Sequence, residues 1–160
     1  VTWSNHIKPY AEKIIPIIRN NSKDSVILVG TPDWSKDLDS VSKDPLKYGN
    51  IMYTVHFYAA SHKTELQNTI TSALNKNIPV FISEWGTTDA SGNSNLDLNS
   101  SKSWINFMNK NNLSWINWSF CNKNEGSAIL NSNYNINSST SIDEFLTESG
   151  EFIKSNINTK

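Results

Sequence analysis

Apolar positions along this chain switch between two periods. Ile7, Tyr10, Ala11, Ile14, Ile15 and Ile18 recur at three- and four-residue spacing, the stripe of one helix face. Ser4 stands where an N-cap is expected, and Pro16 falls inside the run, where it should kink the helix or shift its register. The run from 26 to 30, Val-Ile-Leu-Val-Gly, is short and wholly apolar, as expected of a parallel strand covered on both faces. Residues 31–50 are polar and turn-rich, with room for a short helix over 36–42. A second strand is predicted at 51–58, and Leu66, Ile70, Ala73 and Leu74 mark a helix ending near Asn77. Pro79 introduces a third strand at 80–84. Trp104, Ile105 and Met108 give the buried stripe of a helix over 100–112. A fourth strand is predicted at 113–119, a polar loop at 122–141, and a last helix around Phe152, Ile153 and Ile157.

Strands alternating with helices imply a parallel sheet of βα units. No linker splits the chain, so residues 1–160 read as one domain without an internal repeat. Two architectures fit: a small open doubly wound sheet, or half of a (β/α)₈ barrel. A complete barrel takes about 250 residues, and this chain has 160. The placement of reactive residues favours the half barrel. Trp34 follows the first strand, His56 and Tyr58 lie on the second, Glu84 ends the third, and Trp118 ends the fourth. Barrel enzymes carry their catalytic groups at that strand edge.

Composition removes several classes of function. The formal net charge is −1, so no basic surface invites nucleic acid. No apolar run reaches the length of a membrane span. Cys121 is the sole cysteine, which excludes an intrachain disulfide. The histidines are too scattered for metal-ligand spacing and no Gly-rich phosphate loop is present, so neither metal nor cofactor is expected. His6 and His62 read as surface residues. The six Trp are numerous for this length. Most Trp are core, but exposed indoles at a barrel mouth make flat platforms for sugar rings.

Glu84 follows four residues of expected buried strand. A carboxylate there is costly unless it is paired or used, and spacing alone leaves a structural ion pair and a functional acid equally open. Trp85 and Gly86 beside it read as an aromatic wall and a tight turn. The segment Pro79-Val-Phe-Ile-Ser-Glu-Trp-Gly86 resembles the strand-seven nucleophile motif of glycoside hydrolase family 5, the endo-β-1,4-glucanase (cellulase) family. Ile27-Leu-Val-Gly-Thr-Pro-Asp-Trp-Ser35, Asn50-Ile-Met-Tyr-Thr-Val-His-Phe-Tyr58 and Trp115-Ile-Asn-Trp-Ser119 are similar to family segments in the same order. The likeness runs from Val1 to about Ile157.

The resemblance implies a (β/α)₈ TIM barrel of which this chain covers about the second half, strands five to eight. It implies endo-acting cleavage of β-1,4-glucan by two glutamates in a retaining mechanism. Glu84 would be the nucleophile. The acid/base glutamate belongs to an Asn-Glu-Pro motif that these residues lack, and in the family it lies a few residues before the position of Val1. Tyr58 matches the tyrosine that hydrogen-bonds the nucleophile, and His56 the strand-six histidine of the same network. Trp118 matches the platform under the sugar being cleaved, and Trp34 an aromatic on the leaving-group side. Ala90 and Ser91 match a stretch that touches sugar along the cleft. Lys123, Asn124 and Glu125 match a loop reaching sugar hydroxyls, although Gly126 stands where Ser is expected. Trp3, Trp104 and Trp115 read as core or structural. The expected partners are a β-glucan chain and either the missing N-terminal half barrel or a second copy of this chain. Secretion is expected, with any signal peptide outside these residues. A non-catalytic carbohydrate-binding half barrel, or the same fold acting on mannan or xyloglucan, remains the alternative.

Overall fold

The apolar runs become strands and the striped segments become helices. The structure, a computed structural model, describes residues 1–137 and 139–157. Three strands lie in the order β1-β2-β3: β1 (Ile27–Val29), β2 (Ile51–Tyr58) and β3 (Val80–Gly86). β1 pairs parallel to β2, with Ile27 opposite Ile51 and Val29 opposite Tyr53. Among the described residues six α-helices accompany them: α1 (Lys8–Asn21), the single turn α2 (Pro32–Ser35), α3 (Leu38–Lys43), α4 (Thr64–Asn75), α5 (Leu98–Lys110) and α6 (Glu148–Ile157). The chain divides into two compact units, Val1–His56 with Thr64–Ser83, and Phe57–Lys63 with Glu84–Lys160.

In the first unit, Ser4 is not the helix cap. The chain turns at Thr2 and runs through a π-helical segment, Trp3–Ile7, before α1. Burial explains the early start. Trp3 is 1% exposed, its indole donates to the Asp44 carbonyl at 2.8 Å, and its ring meets Tyr53 edge-on. That anchor widens the first turn, so the Ile7 amide reaches back five residues to the Thr2 carbonyl at 3.2 Å. α1 continues through Pro16. A proline frees the carbonyl four residues before it, here that of Glu12, and the Tyr48 hydroxyl donates to it at 3.4 Å. Arg19 ties the entry to β1, donating to the carbonyls of Ser25 at 2.8 Å and Gly49 at 2.9 Å. α3 takes Asp37 as its N-cap, which accepts from the Ser40 amide at 2.9 Å.

β1 is shorter than its apolar run, and its cover is one-sided within this chain: Leu28 is 41% exposed and Val26 56%. A groove of about 270 Å³ beside it is lined by Tyr10, Ile14, Ile18 and Leu28.

In the second unit the core is aromatic. Phe57 stacks on Trp104 at 3.8 Å and on Trp85 at 5.3 Å between ring centroids, and Trp115 meets Trp85 edge-on. Trp85, Trp104, Ile105, Met108 and Ile153 are all within 2% of full burial. Gly150 lets α6 close on the neighbouring loop, because a Cβ there would stand 2.2 Å from the Ile129 carbonyl oxygen. The predicted fourth strand does not form a ladder among the described residues. Within 113–119 Trp115 sits in a single β-bridge, the Trp118 amide donates to the Trp85 carbonyl at 2.7 Å, and the Asn117 side chain donates to that same oxygen at 2.9 Å. Among the described residues the sheet has three strands, and this segment is not one of them.

Asp97 organises the start of α5. It accepts from the Ser100 amide at 2.9 Å and from Lys63 Nζ at 2.6 Å, and Lys63 also donates to the Ala59 carbonyl at 2.7 Å. The Lys63 bond holds the Asp97 carboxyl below the ordinary carboxylate range. A depressed folded pKa stabilises above the unfolded value, about pH 4, and that contribution is lost as pH falls through the folded value. Asp97→Asn is expected to lower Tm at pH 7, and the gap from wild type should narrow below about pH 4. Thermal melts across pH measure it.

Candidate active site

A register shift between β2 and β3 builds the site. The Tyr53 amide bonds the Pro79 carbonyl at 2.9 Å and the Ala59 amide bonds the Gly86 carbonyl at 2.8 Å. Between those two bonds β2 advances six residues and β3 seven, so β3 carries one extra residue, a bulge. Burial locates it: Ile82 and Trp85 are fully buried, whereas the adjacent Ser83 and Glu84 are both half-buried. His56 and Tyr58, two apart on β2, share a face. Ser83 Oγ lies 2.9 Å from His56 Nε2, and the Tyr58 hydroxyl donates to Glu84 Oε1 at 2.8 Å. A regular strand would turn one of two neighbouring side chains away from that face.

Burial is the main cause that pushes the Tyr58 phenol well above its usual range, with the bond to Glu84 adding to it. The hydroxyl therefore keeps its proton through neutral pH and is a standing donor to the carboxylate. Its backbone is fixed as well. The Tyr58 amide donates to His62 Nδ1 at 2.9 Å, and the Trp104 indole donates to the His62 carbonyl at 2.8 Å. His62 is thus half-buried and structural rather than a surface residue. Nothing in its sequence spacing marks it, since its partner is a backbone amide four residues earlier. Gly86 completes the arrangement: a Cβ there would stand 2.8 Å from Tyr58 Cδ1 and Cε1.

Trp85 is a core residue and not a wall of the site. It is fully buried, because the bulge turns Glu84 inward and returns Trp85 to the face that packs on Phe57. Trp118 has the opposite environment, 44% exposed beside the end of β3, with a cis peptide bond to Ser119. Ala90 and Ser91 are exposed. The Ala90 amide donates to Ser61 Oγ at 3.1 Å, and the Ser91 hydroxyl turns back to Asp89 at 2.6 Å. Lys123 and Asn124 are exposed on a polar loop, while Glu125 is half-buried and accepts from Ser127 Oγ at 3.3 Å. Gly126 has a local cause, since a Cβ there would stand 2.6 Å from the Ser94 carbonyl oxygen.

The first unit holds His56 and Trp34. Trp34 is 83% exposed and lies at the centre of three consecutive left-handed residues, Asp33, Trp34 and Ser35, with φ of 55°, 50° and 61°. That conformation costs a non-glycine residue about 1–2 kcal/mol. Ser35, buried, anchors the turn: its Oγ lies 2.9 Å from Thr54 Oγ1 and accepts from the Thr31 amide at 3.4 Å. Sequence reasoning missed Ser35 and Thr54, and took Ser83 and Gly86 only as flanks of Glu84, with Gly86 a tight turn. Ser83 was within reach, being the residue before Glu84 in a strand whose partner carries His56. Among the described residues no group of three or more His, Cys, Asp or Glu is placed to hold a metal.

Barrel enzymes carry their catalytic groups at the C-terminal ends of the strands, and glycosidases work with carboxylates; the placement of Glu84 is compatible with both. Comparison with known proteins agrees in class. The family model for cellulase, glycosyl hydrolase family 5, matches residues 1–124, and the chain belongs to this family. It is 48% identical over 158 residues to an endoglucanase of Clostridium saccharobutylicum, covering 97% of this chain and 34% of that protein. It is 45% identical over 155 residues to endoglucanase Z of Dickeya dadantii, again 97% of this chain and 34% of the relative. Among solved structures, the catalytic domain of Thermobifida fusca endoglucanase Cel5A in complex with cellotetraose superposes with a TM-score of 0.85 at 31% identity, over 97% of this chain and 52% of that one. A structure from Cytophaga hutchinsonii gives a TM-score of 0.93 at 36% identity, over 98% of this chain and 51% of that one. The chain thus spans about a third of its curated relatives and about half of the solved domains. These neighbours imply a (β/α)₈ barrel, of which the chain is a parallel-sheet piece.

Gly86→Ala is expected to push the Tyr58 ring off Glu84, opening the 2.8 Å contact past hydrogen-bonding distance. Overpacking of this kind costs about 1–3 kcal/mol. A crystal structure and a denaturant melt of the variant check both parts.

Proposed function

We propose that this chain is the second half, strands five to eight, of a barrel that cleaves β-1,4-glucan internally with retention, and that Glu84 is its nucleophile. The observation that carries this reading is the Tyr58–Glu84 bond at the bulged end of β3. A carboxylate that accepts from a fixed phenol is held in a single orientation, which suits attack on the anomeric carbon. His56 braces the neighbouring position through Ser83. Trp118 and Trp34 supply exposed rings for sugar faces, and Ala90, Ser91, Lys123, Asn124 and Glu125 offer polar contacts along the chain of sugars. The endoglucanase relatives favour β-1,4-glucan over mannan or xyloglucan. A polymer of that kind does not cross membranes, which favours action outside the cell.

Retention needs a second carboxyl about 5–5.5 Å from the nucleophile, to protonate the leaving oxygen and then activate water. Within these residues the other acids near the strand ends are already committed: Asp33 to Lys36, Asp37 to Ser40, Asp89 to Ser91, Asp97 to Lys63, and Glu125 to Ser127. The acid/base therefore comes from a partner half, most simply the upstream half of the same barrel. Apolar surface supports this. One groove lies beside β1, and another of about 480 Å³, lined by Leu113, Ile116, Ile129 and Ile153, lies beside residues 113–119.

In the protein carrying both halves, Glu84→Gln is expected to lower kcat by more than a hundredfold while oligosaccharide binding persists, as turnover and calorimetry would measure. Retention of a tenth of wild-type turnover would remove Glu84 from the nucleophile's role. The 160-residue chain alone is expected to be inactive on soluble cellulose and to self-associate, as light scattering and reducing-sugar assays would report.

A further inference from the structure

The strained turn that carries Trp34 has an internal fastening with a consequence for specificity. Three successive left-handed residues present one exposed indole, yet none is glycine, the residue that adopts this conformation freely. A conformation so disfavoured persists only where its surroundings over-determine it. Here the surroundings are three buried hydroxyl residues. Ser35, Thr31 and Thr54 are 6%, 5% and 6% exposed. Ser35 Oγ meets Thr54 Oγ1 at 2.9 Å, and Thr31 Oγ1 donates to the Thr54 carbonyl at 3.3 Å. The Ser35 amide bonds the Thr31 carbonyl at 3.1 Å, closing the turn on itself. Thr54 lies in β2, so the pair ties the turn to the sheet. Outside the turn, Lys36 Nζ sits 3.2 Å from Asp33 and 5.9 Å from the Trp34 ring centroid. The indole lines a groove of about 560 Å³ together with Pro32, Asp33, Asp37 and Ser40, whose oxygens suit the hydroxyls of a neutral sugar.

We infer that Ser35 and Thr54 are positioning residues: their buried hydroxyl contact holds the Trp34 indole at a fixed angle, and so sets how strongly the groove grips a saccharide unit there. This rests on the reading of Trp34 as a sugar platform given above. Locking the ring beforehand removes the entropy that a free indole would lose on stacking. The contact therefore acts on binding of longer oligosaccharides and not on bond cleavage at Glu84.

The test uses the protein with both barrel halves and three variants. Ser35→Gly relieves the left-handed strain but deletes the hydroxyl. Thr54→Val keeps the shape and deletes the other hydroxyl. Thr54→Ser restores it. ¹⁵N relaxation of the Trp34 indole, assigned by comparison with Trp34→Phe, reads ring order without any sugar present. KM and kcat for cellotetraose read the consequence. Expected are a mobile indole and a KM raised about tenfold at unchanged kcat in Ser35→Gly and Thr54→Val, with wild-type behaviour in Thr54→Ser. An indole as rigid in Ser35→Gly and Thr54→Val as in wild type overturns the inference, and so does a mobile indole with unchanged KM. An unaltered KM in Trp34→Ala would instead refute the platform reading on which it rests. Because glycine relaxes the turn and valine preserves its shape, folding failure of one variant leaves the other to decide.

Discussion

One surplus residue in β3 governs the rest of the site. Parallel strands in register turn alternate side chains to opposite faces, so two neighbours cannot serve the same face without a break in that rhythm. The bulge supplies the break. It gives β2 two bonds to consecutive residues, Ser83 to His56 and Glu84 to Tyr58, while Ile82 and Trp85 on either side remain buried. Bulges cluster beside active sites because they re-aim a side chain without moving the strand. Here the re-aimed side chain is a carboxylate, and the strand that keeps its course carries a fully buried tryptophan.

Tyr58 can hold Glu84 only because Tyr58 is itself held. Its phenol is pinned at the ring by the bare Cα of Gly86, at the backbone by His62, and one residue back by Phe57 in the Trp104–Trp85 stack. His62 in turn is fixed by the Trp104 indole, and Lys63 ties the same loop to Asp97 at the start of α5. Each partner comes from an element packed for ordinary core reasons. The geometry of the carboxylate is thereby made a by-product of burial, which is how a polar site is kept in place without a polar scaffold.

The elements themselves were legible. α1, α4, α5, β2 and β3 follow from periodicity, because each buries one stripe or one run and burial repeats at the spacing of the backbone. Local errors arose where a partner distant in sequence decides. Ser4 looks like a cap until Trp3 is seen anchored to Asp44. The run at 113–119 reads as a strand, but a strand exists only with neighbours, and among the described residues this one has an isolated bridge at Trp115 and the Trp118 bond to Trp85. The bulge was illegible for the same reason: one extra residue shows itself only against the register of the paired strand. Glu84, Tyr58, His56, Trp34 and Trp118 stand out by their placement at the ends of the expected strands, and family resemblance supplied the roles that periodicity cannot. Trp85 shows the limit of that help, since position in a motif does not reveal which face a side chain takes.

Tryptophan makes the division between site and core visible. Trp3, Trp85 and Trp104 are within 1% of complete burial, whereas Trp34 and Trp118 are 83% and 44% exposed. Trp3 and Trp104 place their indole N–H on a carbonyl, but the buried Trp85 Nε1 has no hydrogen-bond partner among the described residues. Such a donor costs about 1–3 kcal/mol, and an aromatic pair returns about 0.5–1.5 kcal/mol beyond the area buried. Trp85 makes two such contacts, with Phe57 and Trp115, so the loss is roughly offset. The two exposed indoles have no such compensation. Each leaves apolar surface in water, and Trp34 does so from a strained backbone. Folding stability alone favours neither arrangement, and both fit the proposed role of these rings as flat apolar faces for a sugar.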